Sequence, residues 1–539
     1  MGSHQAWQTL ATEKQAAQAN KIPKGWRLPS EYLAGDETSA HGVMEIPAKC
    51  GILNAEELHI TQDFNAVTLA IAVQRGTIKA KSVATAFCKR AAIAQQLTNC
   101  LTETMFDDAI KRGEFLDEYL ELHGKPMGPL HGAPISMKDT FDYAGVQSTM
   151  GIVSYLGNPV PSEHGTSAAT LLDLGAILHC KTNVSQALMS SDDHNNVFGR
   201  GSSGGEGALV ALRGSLLGVG TDMAGSIRIS ALCSGTYGFK PSSGRGPFFG
   251  STFCHRMGSP GFPPVAGPLA CSFDDMAFFL QAVLESHPWD RDPTVLAIPW
   301  RAEVATSTPE KLRIGFILED PKFPVHPPVC RTMESSAQVL AQAGHEVIPL
   351  HGFPSLEVAM NLGLDSFSFV NTVEWRRHLD VSGEPIVPSL VDNMPFITRR
   401  IEKGGYSIDE IFAFNLACLQ YKAAWNAVFV RHKLDFLICP GAETTAIPHD
   451  TWGTPPYTVV WSLTECPAVI LPVGQAMKNM DRNDLAPSAS PRPYQSELVD
   501  GAPTAIQVVV RLYQDEELLA AGRVIDRCLR KANNLRSPE

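Results

Sequence analysis

The sequence predicts an α/β protein, a mostly parallel sheet with helices on both faces. Three observations carry that prediction. Short apolar runs bounded by glycine or proline, such as GAPISMKD, GAILHCKTN and SLLGVGTD, have the length of buried strands. Between them lie segments such as SAATLLDLG and EGALVALRG, whose apolar residues recur three and four apart, and this alternation marks crossover connections. At 539 residues, with 44% hydrophobic and 19% charged residues, the chain is long enough to bury a large core of this kind.

Taken in order, the stretch from about residue 5 to 125 is helical in pattern: TLATEKQAAQAN, then SVATAFCKRAAIAQQL, then DDAIKRGEFLDEYLEL. These are expected to be covering helices, with a helical segment over 1–75 packing on a main body over 76–539. The three apolar runs above follow as strands. A second set starts at LRIGFILED and continues through HEVIPL, KLDFLICP, CPAVILPVG and AIQVVVRLY. Residues 354–432 read as long helices forming a cap or wall. The polar, proline-containing stretch 478–503 reads as a loop insertion, because strand and helix patterns resume after it. No linker divides the chain, so one compact α/β body is expected.

Charge and composition exclude several classes. A formal net charge of −12 offers no clustered basic surface for nucleic acid or an anionic membrane. No stretch approaches the length of a membrane span, and the N-terminus lacks an apolar signal region, so a cytoplasmic address is the default expectation. The 12 cysteines form no C-x-x-C pair and the 16 histidines no H-E-x-x-H, so no metal and no cofactor is expected.

GRGSSGG, residues 199–205, fits two familiar patterns at once: the dinucleotide fingerprint over 199–204 and the nucleophile elbow over 201–205. Both patterns need a strand leading into the turn. The preceding residues, SSDDHNNVF, are a polar loop, so both fit poorly. Asp222 only mimics a ribose-binding acid, and none of His255, His345 and His351 is singled out as a partner for an elbow at Ser203. A third reading dispenses with histidine. The strand SLLGVGTD runs into MAGS, which places Ser226 at the start of a helix-like segment, where backbone N–H groups can hold an oxyanion. Lys138 ends the apolar run GAPISMK. An amine withdrawn from water there loses proton affinity and can act as a base, the plain alternative being a lysine that snorkels to solvent.

GAPISMKD, CKTNVSQALMSSDDHNNVFGR and GSSGGEGALVALRGSLLGVGTDMAGSIRIS together resemble the amidase signature family, nearest to fungal acetamidase-type amidases and fatty acid amide hydrolases. The likeness runs from about residue 60 to the C-terminal AIQVVVRLYQDEELLAAGRVID. It implies a mixed-sheet α/β amidase signature fold and a Ser-Ser-Lys triad. By position, Ser226 would be the nucleophile, Ser202 a bridging serine held by a cis peptide, and Lys138 the base. The N–H groups of Met223, Ala224, Gly225 and Ser226 would form the oxyanion hole, and Leu188, Ser190 and Trp461 would line the acyl pocket, with core packing the alternative for Leu188 and Trp461. Asp222 and Arg228 would be an ion pair shaping the turn, and Ser203 would support the loop.

The chain departs from the family pattern in joining FGR directly to GSSGG, and in carrying Arg200, Ala224, Ser185 and Ser230 where glycine or proline is common. A β-carbon at 224 is expected to be costly if that position needs positive φ. The implied activity is hydrolysis of small to medium, apolar or aryl/acyl amides. An acyl transferase or cyclase using the same acyl-enzyme, or a degenerate amidase serving as a binding protein, are the alternatives. Phe248, Phe249, Phe253 and Phe262 suggest an aromatic or fatty pocket, though packing explains them equally well. A small-molecule amide is the expected partner. A homodimer is compatible with the sequence but not indicated by it.

Overall fold

The computed structural model describes residues 7–33, 43–200, 204–253, 258, 261–371, 374–391, 406–487 and 494–533, and of residues 199, 200, 370, 371 and 374 the backbone alone. The strands are β1 (Leu101–Thr104), β2 (Pro134–Lys138), β3 (Ile177–Thr182), β4 (His194–Asn195), β5 (Gly199–Arg200), β6 (Leu217–Asp222) and β7 (Tyr237–Lys240) in the first half. They continue as β8 (Val265–Ala270), β9 (Arg313–Phe316), β10 (Glu346–Pro349), β11 (Phe436–Cys439), β12 (Ala468–Gln475) and β13 (Pro503–Val509). Eleven of them form one mixed sheet in the order β1-β3-β2-β6-β8-β7-β12-β13-β11-β9-β10. β4 and β5 pair only with each other.

Parallel pairing is found on two flanks, β3–β2–β6 and β11–β9–β10, and the strands between them pair antiparallel. β7 and β8 escape the sequence reading. β8 is VAGPLA, and a Gly-Pro step inside an apolar run argues against a central strand by pattern alone. Here it is a central strand, between β6 and β7, and a β-carbon on Gly267 would overlap the carbonyl of Phe239.

The three N-terminal helical patterns become helices Trp7–Lys21, Ala80–Thr98 and Phe106–His123. Ala80–Thr98 buries Val83, Ala84, Phe87, Ala91 and Ala94 completely, and ends at Asn99 in the left-handed region (φ 52°), a conformation asparagine tolerates. The first helix is tied to the edge strand by polar contacts: Gln18 Nε2 and Lys21 Nζ donate to Glu103 of β1 at 2.6 and 2.9 Å, and Lys14 joins them. Over 354–432 the expected helical wall consists, among the described residues, of Leu356–Asn371, Glu374–Ser382, Pro388–Val391 and Ile408–His432. Within the expected loop 478–503, Ser496–Val499 forms one short helical turn. Among the described residues no helix is long and apolar enough to cross a membrane.

One consequence of the parallel flank positions the site. β2, β3 and β6 run the same way, so their carboxyl ends, Lys138, Thr182 and Asp222, emerge along one edge of the sheet, and Lys138 is directly paired with Thr182. Ligand sites in open α/β sheets form at such edges.

Candidate active site

β6 ends at Asp222 and the chain turns through Met223, Ala224 and Gly225 into the helix Ser226–Ser234. Gly225 takes φ 138°, where an L side chain is strained, and a β-carbon there would also overlap the Thr458 hydroxyl and Ile229. Ala224 is not among the residues with positive φ. The expected cost of a side chain at 224 therefore does not arise, because the turn places its left-handed demand one residue later, where glycine is retained. Thr458 Oγ1 donates to the Ala224 carbonyl and fixes the turn from the helix Pro456–Leu463. The first N–H groups of a helix have no partner within it, so this turn directs donors and the positive end of the helix dipole at whatever lies before Ser226.

Behind the turn, Asp222 and Arg228 form the expected ion pair, both fully buried, with guanidinium nitrogens 2.9 Å from each carboxylate oxygen. Burial pushes the Asp222 carboxyl up, but the Arg228 charge and its hydrogen bonds outweigh that and hold it below its ordinary value. Arg228 also donates to Gln507 Oε1 and Ser462 Oγ, each at 2.9 Å, so β6, β13 and the Pro456–Leu463 helix are bound to one side chain.

Two lysines stand at neighbouring strand ends, and the structure separates their tasks. Lys181 is fully buried 3.6 Å from Asp139 and donates to Ser148 Oγ at 2.6 Å. Lys138 is half-buried, bonds to Thr221 Oγ1 at 3.0 Å, and faces open space together with Thr221 and Ser226.

That space has two chambers that share Lys138, Ser190, Ser191, Thr221 and Ser226. One, about 450 Å³ with its open mouth included, is the more polar, reaching Thr182, Asn183, Ser185, Asp193 and Glu206. The other is about 980 Å³ and mostly apolar, walled by Leu188, Phe248, Phe253 and, from the Leu356–Asn371 helix, Met360, Leu364 and Phe367. Glu206 lies under the polar chamber, accepting from Ser136 Oγ at 2.6 Å and Thr182 Oγ1 at 3.0 Å. Burial pushes its carboxyl up to about 8, against those hydrogen bonds and the nearby Lys138. Burial likewise raises Asp193, which accepts the Gly205 N–H, to about 7.

The expected residues fall out as follows. Lys138, Ser226, Met223, Ala224, Gly225, Leu188 and Ser190 line this space together. Ser202 and Ser203, with the peptide bond expected to be cis, lie outside the described residues, as does His255; the chain resumes at Gly204, whose β-carbon would overlap Ser230 of the Ser226–Ser234 helix. Gly204 is thus packed closely against the helix that Ser226 begins. Trp461 does not line either chamber. It is 1% exposed and packs edge-on to Trp425 with ring centroids 4.7 Å apart, so the core-packing alternative holds for it. Of the phenylalanines, Phe248 and Phe253 reach the apolar chamber, Phe249 is half exposed, and Phe262 is buried against Phe367.

Sequence reasoning passed over Asp193, Glu206, Thr221 and the Met360–Leu364–Phe367 stripe. Glu206 had a signal: an acid inside GGEGALVAL, where every neighbour is small or apolar, must be buried and bonded. The stripe had none pointing to the site, since its spacing of four and three is also that of any packed helix.

Residues 82–519 match the family described as Amidase. The chain is 36% identical to an amidase of Gibberella moniliformis, over 96% of this chain and 98% of that one. It is 34% identical to an acetamidase of Emericella nidulans, over 97% and 98%. Among solved structures it resembles a fatty acid amide hydrolase with a TM-score of 0.89 and 29% identity, covering 97% of this chain and 95% of that one. The chain therefore belongs to the amidase signature family and is a hydrolase acting on amides.

Proposed function

We propose that Ser226 is the nucleophile of a Ser-Ser-Lys triad, with Ser202 as the bridging hydroxyl and Lys138 as the base, acting on small to medium amides with an apolar acyl or aryl group. The observation that carries this reading is that Lys138 and Ser226 are both wall residues where the polar and apolar chambers meet. In this mechanism, uncharged Lys138 takes a proton from Ser202, which takes one from Ser226 as its Oγ attacks the substrate carbonyl. The carbonyl oxygen becomes an oxyanion held by backbone N–H groups of Met223 to Ser226, each worth on the order of 3 kcal/mol. Collapse breaks the C–N bond while the relay returns its proton to the departing amine. Water then attacks the acyl-Ser226 ester by the same relay, releasing the acid and restoring the serine.

The apolar chamber supports the substrate class. Its walls are mostly apolar with a few polar groups, the make-up of a site for a small organic ligand, and its polar residues Lys138, Ser190, Ser191, Thr221 and Ser226 are those it shares with the polar chamber. The names of the relatives, acetamidase and fatty acid amide hydrolase, bracket the same chemistry from short to long acyl groups. The test is amine or ammonia release from amides of increasing acyl length, with a fluorophosphonate probe as a report on the nucleophile. Wild type is expected to turn over and to be labelled at Ser226; Ser226→Ala should do neither. Lys138→Ala should slow turnover by roughly two to four orders of magnitude while leaving KM nearly unchanged. Labelling at another serine, or an active Ser226→Ala, overturns the assignment.

A further inference from the structure

The Ile408–His432 helix buries Phe414, Tyr421, Trp425, Val428 and Phe429 against the body of the protein. Its opposite face is not that of an ordinary solvent-facing helix. Ile408, Phe412, Leu416, Leu419 and Val430 are between 56% and 70% exposed. Steps of four and three place Phe412, Leu416, Leu419, Ala423, Ala427 and Val430 along one continuous line. Between Glu410 and Arg431 the only charged residue is Lys422, which is drawn aside into an ion pair with Glu465. A contiguous apolar stripe of this length on a soluble surface marks a contact with another molecule.

Two asymmetries along the stripe say what fits it. Bulk is concentrated in the N-terminal half, in Ile408, Phe412, Leu416 and Leu419, whereas the C-terminal half carries Ala423, Ala424 and Ala427. Charge is also divided: Asp409 and Glu410 occupy the first turn, Arg431 and His432 the last, with exposed Lys433 just beyond. A helix of the same sequence laid antiparallel, with a two-fold axis near Leu419 and Gln420, satisfies both. It sets Phe412 over Ala427 and Leu416 over Ala423, large into small, and brings each acidic end beside the basic end of the other copy. The antiparallel helix dipoles agree with this direction.

We propose that this face is the homodimer interface, an antiparallel pairing of the Ile408–His432 helix with its counterpart in a second copy of the chain. At about 1.5 Å per residue the helix offers a seam of about 37 Å. A second copy supplies the required complement by symmetry, because an isologous contact needs one self-complementary patch. A bilayer fits less well. Interfacial helices flank their apolar face with lysine and arginine, and here the rim is asparagine, glutamine and alanine on a chain of net charge −12.

The test uses the full chain in sedimentation velocity over a broad concentration series. A monomer–dimer equilibrium is expected. Leu416→Glu and Leu419→Glu each place a charge in the seam and should raise the dissociation constant by about 100-fold or more, with thermal stability and amide hydrolysis unchanged because both side chains are exposed. Asp409→Lys alone and Arg431→Glu alone should each weaken the dimer several-fold, and the two together in one chain should restore it; a parallel pairing would show no such rescue. Three results overturn the proposal: a chain that stays monomeric throughout, a dimer indifferent to Leu416→Glu, or a monomer that floats with neutral phosphatidylcholine vesicles and loses that binding in Leu416→Glu. The last assigns the stripe to a lipid surface.

Discussion

The two chambers that meet at Ser226 are built by opposite means. The polar one is made of strand ends and the loops that follow them: Lys138 and Thr182 from paired β2 and β3, Thr221 from β6, and Asp193 and Glu206 beneath. Its side chains are held by hydrogen bonds and burial, so their positions are specified one atom at a time. The apolar one is made of side chains from a turn, a loop and a helix wall, such as Leu188, Phe248 and Leu364, which fill space without directional bonds. The polar chamber is thus suited to carry the chemistry common to amide hydrolysis, and the apolar chamber to select the acyl group. Changes to the first should alter rate or stability for every substrate, while changes to the second should alter preference between substrates.

The sharpest way to break this division is at the junction. Ser226→Ala should lower kcat by about four orders of magnitude or more for short and long amides alike, measured by amine release; a loss restricted to one acyl length would dissolve the distinction. Next in size is the support behind the turn. Arg228→Met leaves Asp222 buried without its partner and should destabilise the fold by about 3–5 kcal/mol, read as a lower midpoint in denaturant titration. A fall within the error of the titration would mean that the pair does not hold the turn.

In the apolar chamber, Leu364→Trp fills space beside Met360 and Phe367. KM for a bulky aryl or long acyl amide should rise about 10-fold or more while acetamide is little affected, so the ratio of the two kcat/KM values is the quantity to measure. The smallest effect is a pH dependence from Glu206. Its folded value, about 8, lies above the ordinary carboxyl value of 4.5, so the folded state holds the proton more tightly than the unfolded chain. That contribution to stability is complete below the ordinary value and is lost as pH rises through about 8. Glu206→Gln cannot titrate. Its melting temperature relative to wild type should therefore climb between pH 5 and 8.5, and parallel curves would show that Glu206 is already ionised in the folded protein.

How legible each part was follows from how its signal is stored. The parallel flank was readable because β2, β3 and β6 are short apolar runs between glycines, separated by helical periodicity. The antiparallel centre was readable only in part: CPAVILPVG and AIQVVVRLY became β12 and β13, whereas β7 and β8 were missed. β8 contains Gly267 and Pro268, which local pattern counts against a strand, and its pairing with β6 and β7 outweighs that local preference. Trp461 shows the same limit at the site. An aromatic residue near a pocket and one in the core have the same sequence signature, and only its burial and edge-on packing against Trp425 decide between them. Ala224 shows it in the turn, since the sequence announces a small-residue corner without saying which residue takes positive φ.

By itself the sequence determined the α/β class, the helical N-terminal cover, the amidase signature segments and the residue types at Lys138, Ser226 and the turn between β6 and its helix. Those properties are local, written in periodicity, glycine placement and motif order. Tertiary structure alone decided that Lys138 faces the cavity rather than open solvent, which acids lie beneath it, where the apolar wall comes from and which aromatic residues face it. These depend on contacts between segments tens to hundreds of residues apart, whose free energies come from burial and pairing that no single stretch of chain encodes.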